Sequence, residues 1–583
     1  MPDDKPQHCG ISETAVESEG KSPFRPLSFL LVIVVAAALC FYNLGKRTLW
    51  EDEGETAVLA QRVLSDGIPK ALKDSNLVFQ GGKPGYDEKY RWTFHPWGQF
   101  YIAAAGLAIF GNTTFAARFP FALCGVLTVA LLYLFIWRHW RSSVIASLGA
   151  MLLATSTTFV LHCRQCRYYG LSAFTCLIVV VVFIELLNKP SWRRWVGLGI
   201  ALAAQFYADF GTLMVMMPGL LLSFWPVRAG KKEMVAAMKS FVLAFLLIIP
   251  GLLLHWERLT AAGGGGRSFS ETLTALLVHI FYLDAWFIPL LFTIPASGIV
   301  VWQLLTSREK YASEQGRVII VCTLVIISAA AGMAWAAPYP HLRFIIPQMS
   351  LAKLLLAVIL VGFYGMLHRR GLPSWSTKPF FAVIAVMLAF TNVFSLPVKY
   401  LVDENKYPIF RLHPPQSELF TKAEFAGLVY ELTHDFVCHN RVALNVADDF
   451  AEAGETIMID YGSLPLMFYR PDLKIYTPNT KENMHNLPDV AILTCSERYS
   501  HEVEVHLEKM RAQYGCNYGF LTISVPDVRY GNIPEPRAHY FVTPSHKEPF
   551  VVYIRSDHWG RINKLPRMVD TSEALQSRWY RSR

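Results

Sequence analysis

Charge is scarce in this sequence. Only 17% of the 583 residues are charged while 53% are hydrophobic, and the mean hydropathy is +0.30. A soluble protein carries ~25% charged residues. The deficit falls in the first 400 residues, where apolar runs of 15 to 22 residues recur between short polar loops. Only structures that satisfy their own backbone hydrogen bonds survive in lipid, and runs of that length are helical spans. The pattern predicts a polytopic α-helical membrane protein and excludes a purely soluble enzyme. The net charge of +9 is no signal for nucleic acid, because the basic residues gather in loops between spans. There they face anionic lipid on the cytoplasmic side, so membrane lipids are the expected partner and nucleic acid is not.

Other features are missing too. The ten cysteines form no disulfide framework, and Cys163 with Cys166 in "CRQC" lacks the setting of a thioredoxin-like redox pair. The first apolar segment, 26–44, is too long for a signal-peptide core, and no small-residue cleavage site follows it. Cys40 is preceded by Leu39, where a lipoprotein signal needs a small residue. An uncleaved first helix is expected. No glycine-rich phosphate loop and no clear internal repeat is present.

Eleven spans are predicted: 26–44, 118–137, 143–161, 168–187, 195–209, 211–225, 241–255, 286–305, 318–337, 343–364 and 379–397. Two shorter apolar stretches, 97–111 and 272–284, are expected to be interfacial or re-entrant; counting them would give thirteen. Basic residues test this choice. With the N-terminus inside, fifteen of them, from Arg138 to Lys378, fall in inner loops. The outer loops hold five, Arg164, Arg167, Arg258, Arg267 and Arg343. Letting both short stretches cross would place nine outside and four inside, against the positive-inside rule. The organisation is then a cytoplasmic tail over 1–25, a transmembrane domain over 26–397 and a soluble domain over 398–583. The first outer loop is 45–117. In the soluble domain "ETIMID", "LKIYTP", "DVAILTCS" and "FVVYIR" read as strands, and 421–436 and 500–513 as helices, which suggests a small α/β domain.

The outer face carries the chemistry. Glu51, Asp52, Glu53 and Glu55 crowd five positions just past the first span, at the head of "EDEGETAVLAQRVLSDG". Ala57, Ala60, Val63 and Leu64 share one face, so an amphipathic helix on the membrane is expected, with Asp52 and Glu55 as its N-terminal cap and Trp50 as an interfacial anchor. Capping accounts for two of the acids. The alternative is that a carboxylate held at the helix start works as a general base. Arg164 and Arg167 in "HCRQCRYYG" and Arg343 in "PYPHLRF" enter spans at the outer edge, where an arginine is costly unless it meets an anion. That anion is either phosphate or an acid such as Asp52, Glu53 or Asp284. Four glycines at 263–266 are either a flap or a linker. A lipid-borne phosphate with a sugar head would fit such a surface.

Three stretches resemble the GT-C glycosyltransferases of the protein O-mannosyltransferase type, whose bacterial relatives include the lipid A aminoarabinose transferase. They are "WEDEGETAVLAQ", with its Asp52-Glu53 pair, "HPWGQFYIAAAGLAIFGNTTFAARFPFALCGVLTVALLY" and "CRQCRYYGLSAF", with "HLRFIIP" a later match. The resemblance implies an inverting transferase that moves a sugar from a polyprenyl-phosphate donor to a lipid, glycan or protein acceptor. It implies an integral membrane protein of the bacterial inner membrane, with an extracytoplasmic site. Asp52, with Glu53, takes the catalytic position; Arg164, Arg167 and Arg343 take the donor phosphate. His95, with Glu88 and Lys89, lies where relatives place polar groups near the donor; Tyr168, Tyr169 and His341 are further substrate-binding candidates, His341 at the outer mouth. Tyr168 or Tyr169 stands where some relatives have a second acid, and no Asp-x-Asp pattern is present. The acids still need counter-charge, from the arginines or from a divalent cation. A transporter of lipid-linked sugars is the main alternative; it would call for repeats and mid-span charges, of which Glu185 and Lys353 are the main examples. A non-catalytic scaffold is the other.

Overall fold

In the computed structural model residues 24–558 are described, apart from 80–84, 263–267, 296–312, 338–339, 396–423, 479–486, 495–499, 527–533, 535–538, 543–546 and positions 372, 392, 437 and 540. The four glycines, half of the expected span 286–305 and most of the cytoplasmic tail lie outside the described residues.

The chain starts with α1 (Pro26–Phe41), then α2 (Glu51–Asp66), a two-stranded hairpin of β1 (Leu72–Lys73) and β2 (Asn76–Leu77), and α3 (Gly98–Phe110). The helices α4 (Thr114–Trp140), α5 (Ser143–Ala154), α6 (Thr157–Cys163), α7 (Tyr169–Asn188), α8 (Trp192–Ala208), α9 (Phe210–Ser223) and α10 (Lys231–Leu254) follow. After them come α11 (Trp256–Ala262), α12 (Phe269–Tyr282), α13 (Glu314–Ala336), α14 (Met349–Arg369) and α15 (Ser374–Phe390).

Among the described residues, α4, α7, α10, α13 and the segment Ile346–His368 are long and apolar enough to cross a bilayer. The pair α5 and α6, bent by 62°, adds a sixth. The count of eleven is not reached among the described residues. α1 has 16 residues and α9 has 14, reaching ~24 Å and ~21 Å at 1.5 Å per residue, short of a ~30 Å hydrocarbon core. A hydropathy window reads such helices together with their apolar flanks and cannot see where the backbone stops being helical. The expected span 143–161 breaks at Thr155 and Ser156. The 13-residue α3 is short, as a membrane-surface helix would be.

The C-terminal region holds α16 (Glu424–Thr433), α17 (His439–Phe450), β3 (Thr456–Ile459), α18 (Ser463–Tyr469), β4 (Lys474–Tyr476), β5 (Val490–Leu493), α19 (Ser500–Tyr514), β6 (Tyr518–Pro526) and β7 (Lys547–Arg555). Its sheet has the order β4-β3-β5-β7-β6. β4, β3 and β5 run parallel, and β7 is antiparallel to both β5 and β6.

Two large apolar cores result. One fills the helical bundle. The other runs without a break from the segment between α1 and α4 (Leu49, Leu59, Trp92, Phe100) into the C-terminal domain (Phe450, Ile457, Phe468, Val552). That segment and the domain are therefore one body on one side of the bundle. The expected helix on the membrane surface is corrected here. α2 is buried almost all round, with Val58 and Leu59 enclosed as fully as Ala57 and Ala60. Full burial of each such side chain contributes ~1.5–3 kcal/mol. Only Leu64, on the expected apolar face, is exposed.

Candidate active site

The acids of α2 leave the helix in different directions, because successive residues are ~100° apart around a 3.6-residue turn. The cap is not where Asp52 was expected to make it. Trp50 is the N-cap residue, and its backbone N–H donates to Glu53 Oε2 at 3.3 Å. The Trp50 indole donates to the Gln165 side chain and so ties the helix start to the loop before α7. That contact replaces the expected interfacial anchor.

Glu53 pairs with Arg118, on the second turn of α4. The guanidinium Nη2 is 2.6 Å from Oε2 and Nε is 2.7 Å from Oε1. Oε1 also accepts from the Cys166 backbone N–H at 2.8 Å. Arg118 donates further to the carbonyls of Leu44, Arg47 and Thr48. Both oxygens of Glu53 are thereby committed to a buried, saturated pair, which locks the loop 44–53 onto α4.

Asp52 and Glu55, three residues apart and on one face, both reach Arg167. Its Nη1 donates to Glu55 Oε1 at 2.9 Å, and its Nη2 lies 3.7 Å from Asp52 Oδ2. Arg343, in a short 3-10 turn between α13 and α14, donates from Nη1 to the same Asp52 oxygen at 3.3 Å. His95 Nδ1 is 2.8 Å from Glu55 Oε1. Tyr168 stands beside this group, its ring 6.2 Å from His95 and 6.0 Å from the Arg167 guanidinium carbon.

Burial would raise the Glu55 carboxyl, but the Arg167 charge and His95 outweigh it and hold it at about 2. Burial likewise opposes the Arg167 cation, yet Glu55 and Asp52 push its pKa above the ordinary value. Burial lowers His95 despite Glu55, which favours the neutral ring. Glu51 is the exception among the acids. Burial of its carboxyl first, and Asp52 next, raise it to about 8, so it is neutral at pH 7. The remaining charges match: Asp52, Glu53 and Glu55 against Arg118, Arg167 and Arg343. The arginines therefore offset the acids one for one.

The structure brings Asp52, Arg167, Arg343, His95, Tyr168 and Tyr169 together, with Glu55 beneath them; Tyr169 is buried at the start of α7, its ring 4.6 Å from that of Tyr168, and its hydroxyl faces Arg343. It places other expected residues elsewhere. Arg164 donates from Nη1 to the carbonyls of Leu39, Cys40 and Tyr42 at 2.9–3.0 Å, at the C-terminal end of α1. Glu88 and Lys89 sit on an exposed turn, where the Lys89 backbone N–H donates to Asp87 Oδ1. His341 precedes the Arg343 turn and packs against Phe344 at 6.1 Å. Asp284 accepts from the Leu290 N–H at 2.6 Å. Among the described residues, the metal-type group that closes to 4.8 Å is Glu455, Asp489 and His558 in the C-terminal domain, away from the α2 acids. Arg555 already pairs with its Asp489 at 2.7 Å.

Residues 94–256 match the family described as dolichyl-phosphate-mannose-protein mannosyltransferase. The chain is 30% identical over 237 residues to the undecaprenyl phosphate-alpha-4-amino-4-deoxy-L-arabinose arabinosyl transferase 2 of Pseudomonas fluorescens, covering 39% of this chain and 37% of that protein. It is 25% identical over 208 residues to an uncharacterized protein of Aquifex aeolicus, covering 35% and 38%. The matched stretch thus spans a little over a third of these relatives' length. Among solved structures, ArnT from Cupriavidus metallidurans in the apo state is similar at a TM-score of 0.52 and 14% identity, over 90% of this chain and 97% of that one. The same protein bound to undecaprenyl phosphate gives 0.51 at 13%, with the same coverage. These likenesses define the class first: a polytopic membrane protein with the GT-C glycosyltransferase fold. Within that fold, residues 94–256 are similar to the mannosyltransferase family and a little over a third of the chain to the arabinosyl transferase, as its motifs implied.

Proposed function

We propose that this protein is an inverting glycosyltransferase. It moves a sugar from a polyprenyl-phosphate carrier to a hydroxyl of a lipid, glycan or protein on the extracytoplasmic face of a bacterial inner membrane. The observation that carries this is Asp52, a carboxylate facing two arginines at the edge of the membrane bundle. The family match, and the undecaprenyl-phosphate substrates and complex named for the relatives, support the donor class.

The geometry suggests an exchange. The Asp52–Arg343 pair is about a quarter exposed on each side, and ion pairs of that exposure are worth ~0–1 kcal/mol. An incoming phosphodiester can take Arg343 and Arg167 from Asp52, through charge-assisted hydrogen bonds. Asp52, relieved of its counter-ions, then accepts the proton of the acceptor O–H. The acceptor oxygen bonds to the anomeric carbon from the face opposite the phosphate, while the bond from that carbon to the phosphate oxygen breaks. The leaving group departs as polyprenyl monophosphate, and its growing charge falls on the arginines. Glu55 keeps Arg167 in place throughout.

Reconstituted protein supplied with a polyprenyl-phosphate sugar and cell-envelope acceptors tests the proposal. Mass spectrometry should detect a glycosylated product, and NMR should show the anomeric configuration opposite to the donor's. Retained configuration, or sugar lipid moved across the bilayer without transfer, contradicts it.

A further inference from the structure

The C-terminal domain reaches the site itself. Gly54, two residues past Asp52, lies so close to α18 that a Cβ there would sit 2.4 Å from Pro465 N and 2.7 Å from Leu464 C. Ser463 Oγ donates to Glu51 Oε1 at 3.4 Å. The Tyr469 hydroxyl accepts the Leu49 N–H at 2.9 Å and lies 2.7 Å from Thr114 Oγ1. Asn440 Nδ2 donates to the Leu49 carbonyl at 2.8 Å. Further along α2, Gln61 Nε2 donates to the Phe468 carbonyl at 3.0 Å.

We propose that α18 and Asn440 form a clamp that fixes the Asp52-bearing helix, so that the C-terminal domain is a working part of the transfer site. The contacts run from residue 49 to residue 61 and bracket Asp52 on both sides. The backbone contact at Gly54 is the tightest. Glycine is a poor helix residue, and alanine would favour the helix; here the space beside Pro465 admits only hydrogen. A base must be placed within a few tenths of an ångström of its proton, and ~1 Å of misplacement can cost ~100-fold in rate. The residues of the clamp touch no substrate. They act through α2 and are positioning residues.

This inference rests on the proposed transfer reaction, and the test separates the two. Full-length wild type, Gly54→Ala and Asn440→Ala would be assayed for kcat, donor KM and melting temperature. The clamp predicts a kcat lower by about 100-fold in Gly54→Ala and about tenfold in Asn440→Ala, with donor KM within about twofold. Asn440→Ala removes one hydrogen bond and no helix, so it decides the matter if Gly54→Ala fails to fold. Wild-type kcat in a folded Asn440→Ala overturns the clamp, as does a kcat loss matched by loss of folded protein. Absence of transfer in the wild type would instead sink the reaction.

Discussion

At the scale of residues, four neighbouring acids have different fates, and the differences are measurable. Glu51 has a raised pKa, so the folded protein keeps its proton where the unfolded chain has lost it. Stability is therefore lost as pH rises from the ordinary carboxyl value towards about 8, and the loss is complete above that. Glu51→Gln should melt higher than the wild type, by a margin that widens up to pH 8 and then levels. Transfer should show the same group. Ionised Glu51 places a charge beside Asp52 and the donor phosphate, so wild-type kcat falls above pH 8 and the Gln variant loses that limb. An unchanged alkaline limb contradicts the assignment. Glu55 has the opposite sign: its stabilisation is present above the ordinary carboxyl value and is lost as pH falls to about 2.

Arg343 carries a separate prediction. If it holds the donor phosphate, Arg343→Met removes a charge-assisted hydrogen bond worth ~1.5–3 kcal/mol and weakens donor binding by ~10- to 150-fold. Equilibrium binding of a polyprenyl phosphate checks this, and equal affinity contradicts it. The rule that an outer-edge arginine must meet an anion found Arg167 and Arg343. It also picked Arg164, whose counterpart is the negative end of α1, a partner no linear pattern reveals. It overlooked Arg118, which was counted inside a span. The same rule applied to the "ARFP" entry would have found it.

At the scale of elements, the Glu53–Arg118 pair joins α2 to α4 through 2.6 and 2.7 Å bonds with both side chains nearly sealed from water. Removing one partner of such a pair leaves a buried charge and costs ~3–5 kcal/mol. Arg118→Met should therefore lower the unfolding midpoint sharply, and Glu53→Gln added to it should recover part of the loss. Additive losses would show that the two groups do not act together. The amphipathic pattern of α2 was legible in its sequence, but its second buried face was not. Val58 and Leu59 look like surface residues until the fold buries them in the core shared with the C-terminal domain, whose α18, some 400 positions away, packs on the same helix at Gly54. Strands β3, β4, β5 and β7 were visible as short β-branched runs. α17 and α18 were not, because their burial comes from the segment between α1 and α4 rather than from neighbours in the chain.

At the scale of the whole molecule, hydropathy identified the membrane bundle but not its helix ends. The break between α5 and α6, and the 14 residues of α9, are backbone features that composition does not record. The shared core of the segment between α1 and α4 and the C-terminal domain makes one body of two stretches that sequence keeps apart. It puts Asp52, Arg167 and Arg343 at the junction of that body with the bundle. If Asp52 is the base, it gives up its arginines to the donor. The direct measurement is single-turnover transfer by Asp52→Asn, with donor affinity determined on the same preparation. The account predicts a rate lower by ~10²- to 10⁴-fold, with donor bound as tightly as by the wild type or tighter, since the competing carboxylate is gone. Transfer at the wild-type rate, or donor binding lost together with the rate, would contradict it.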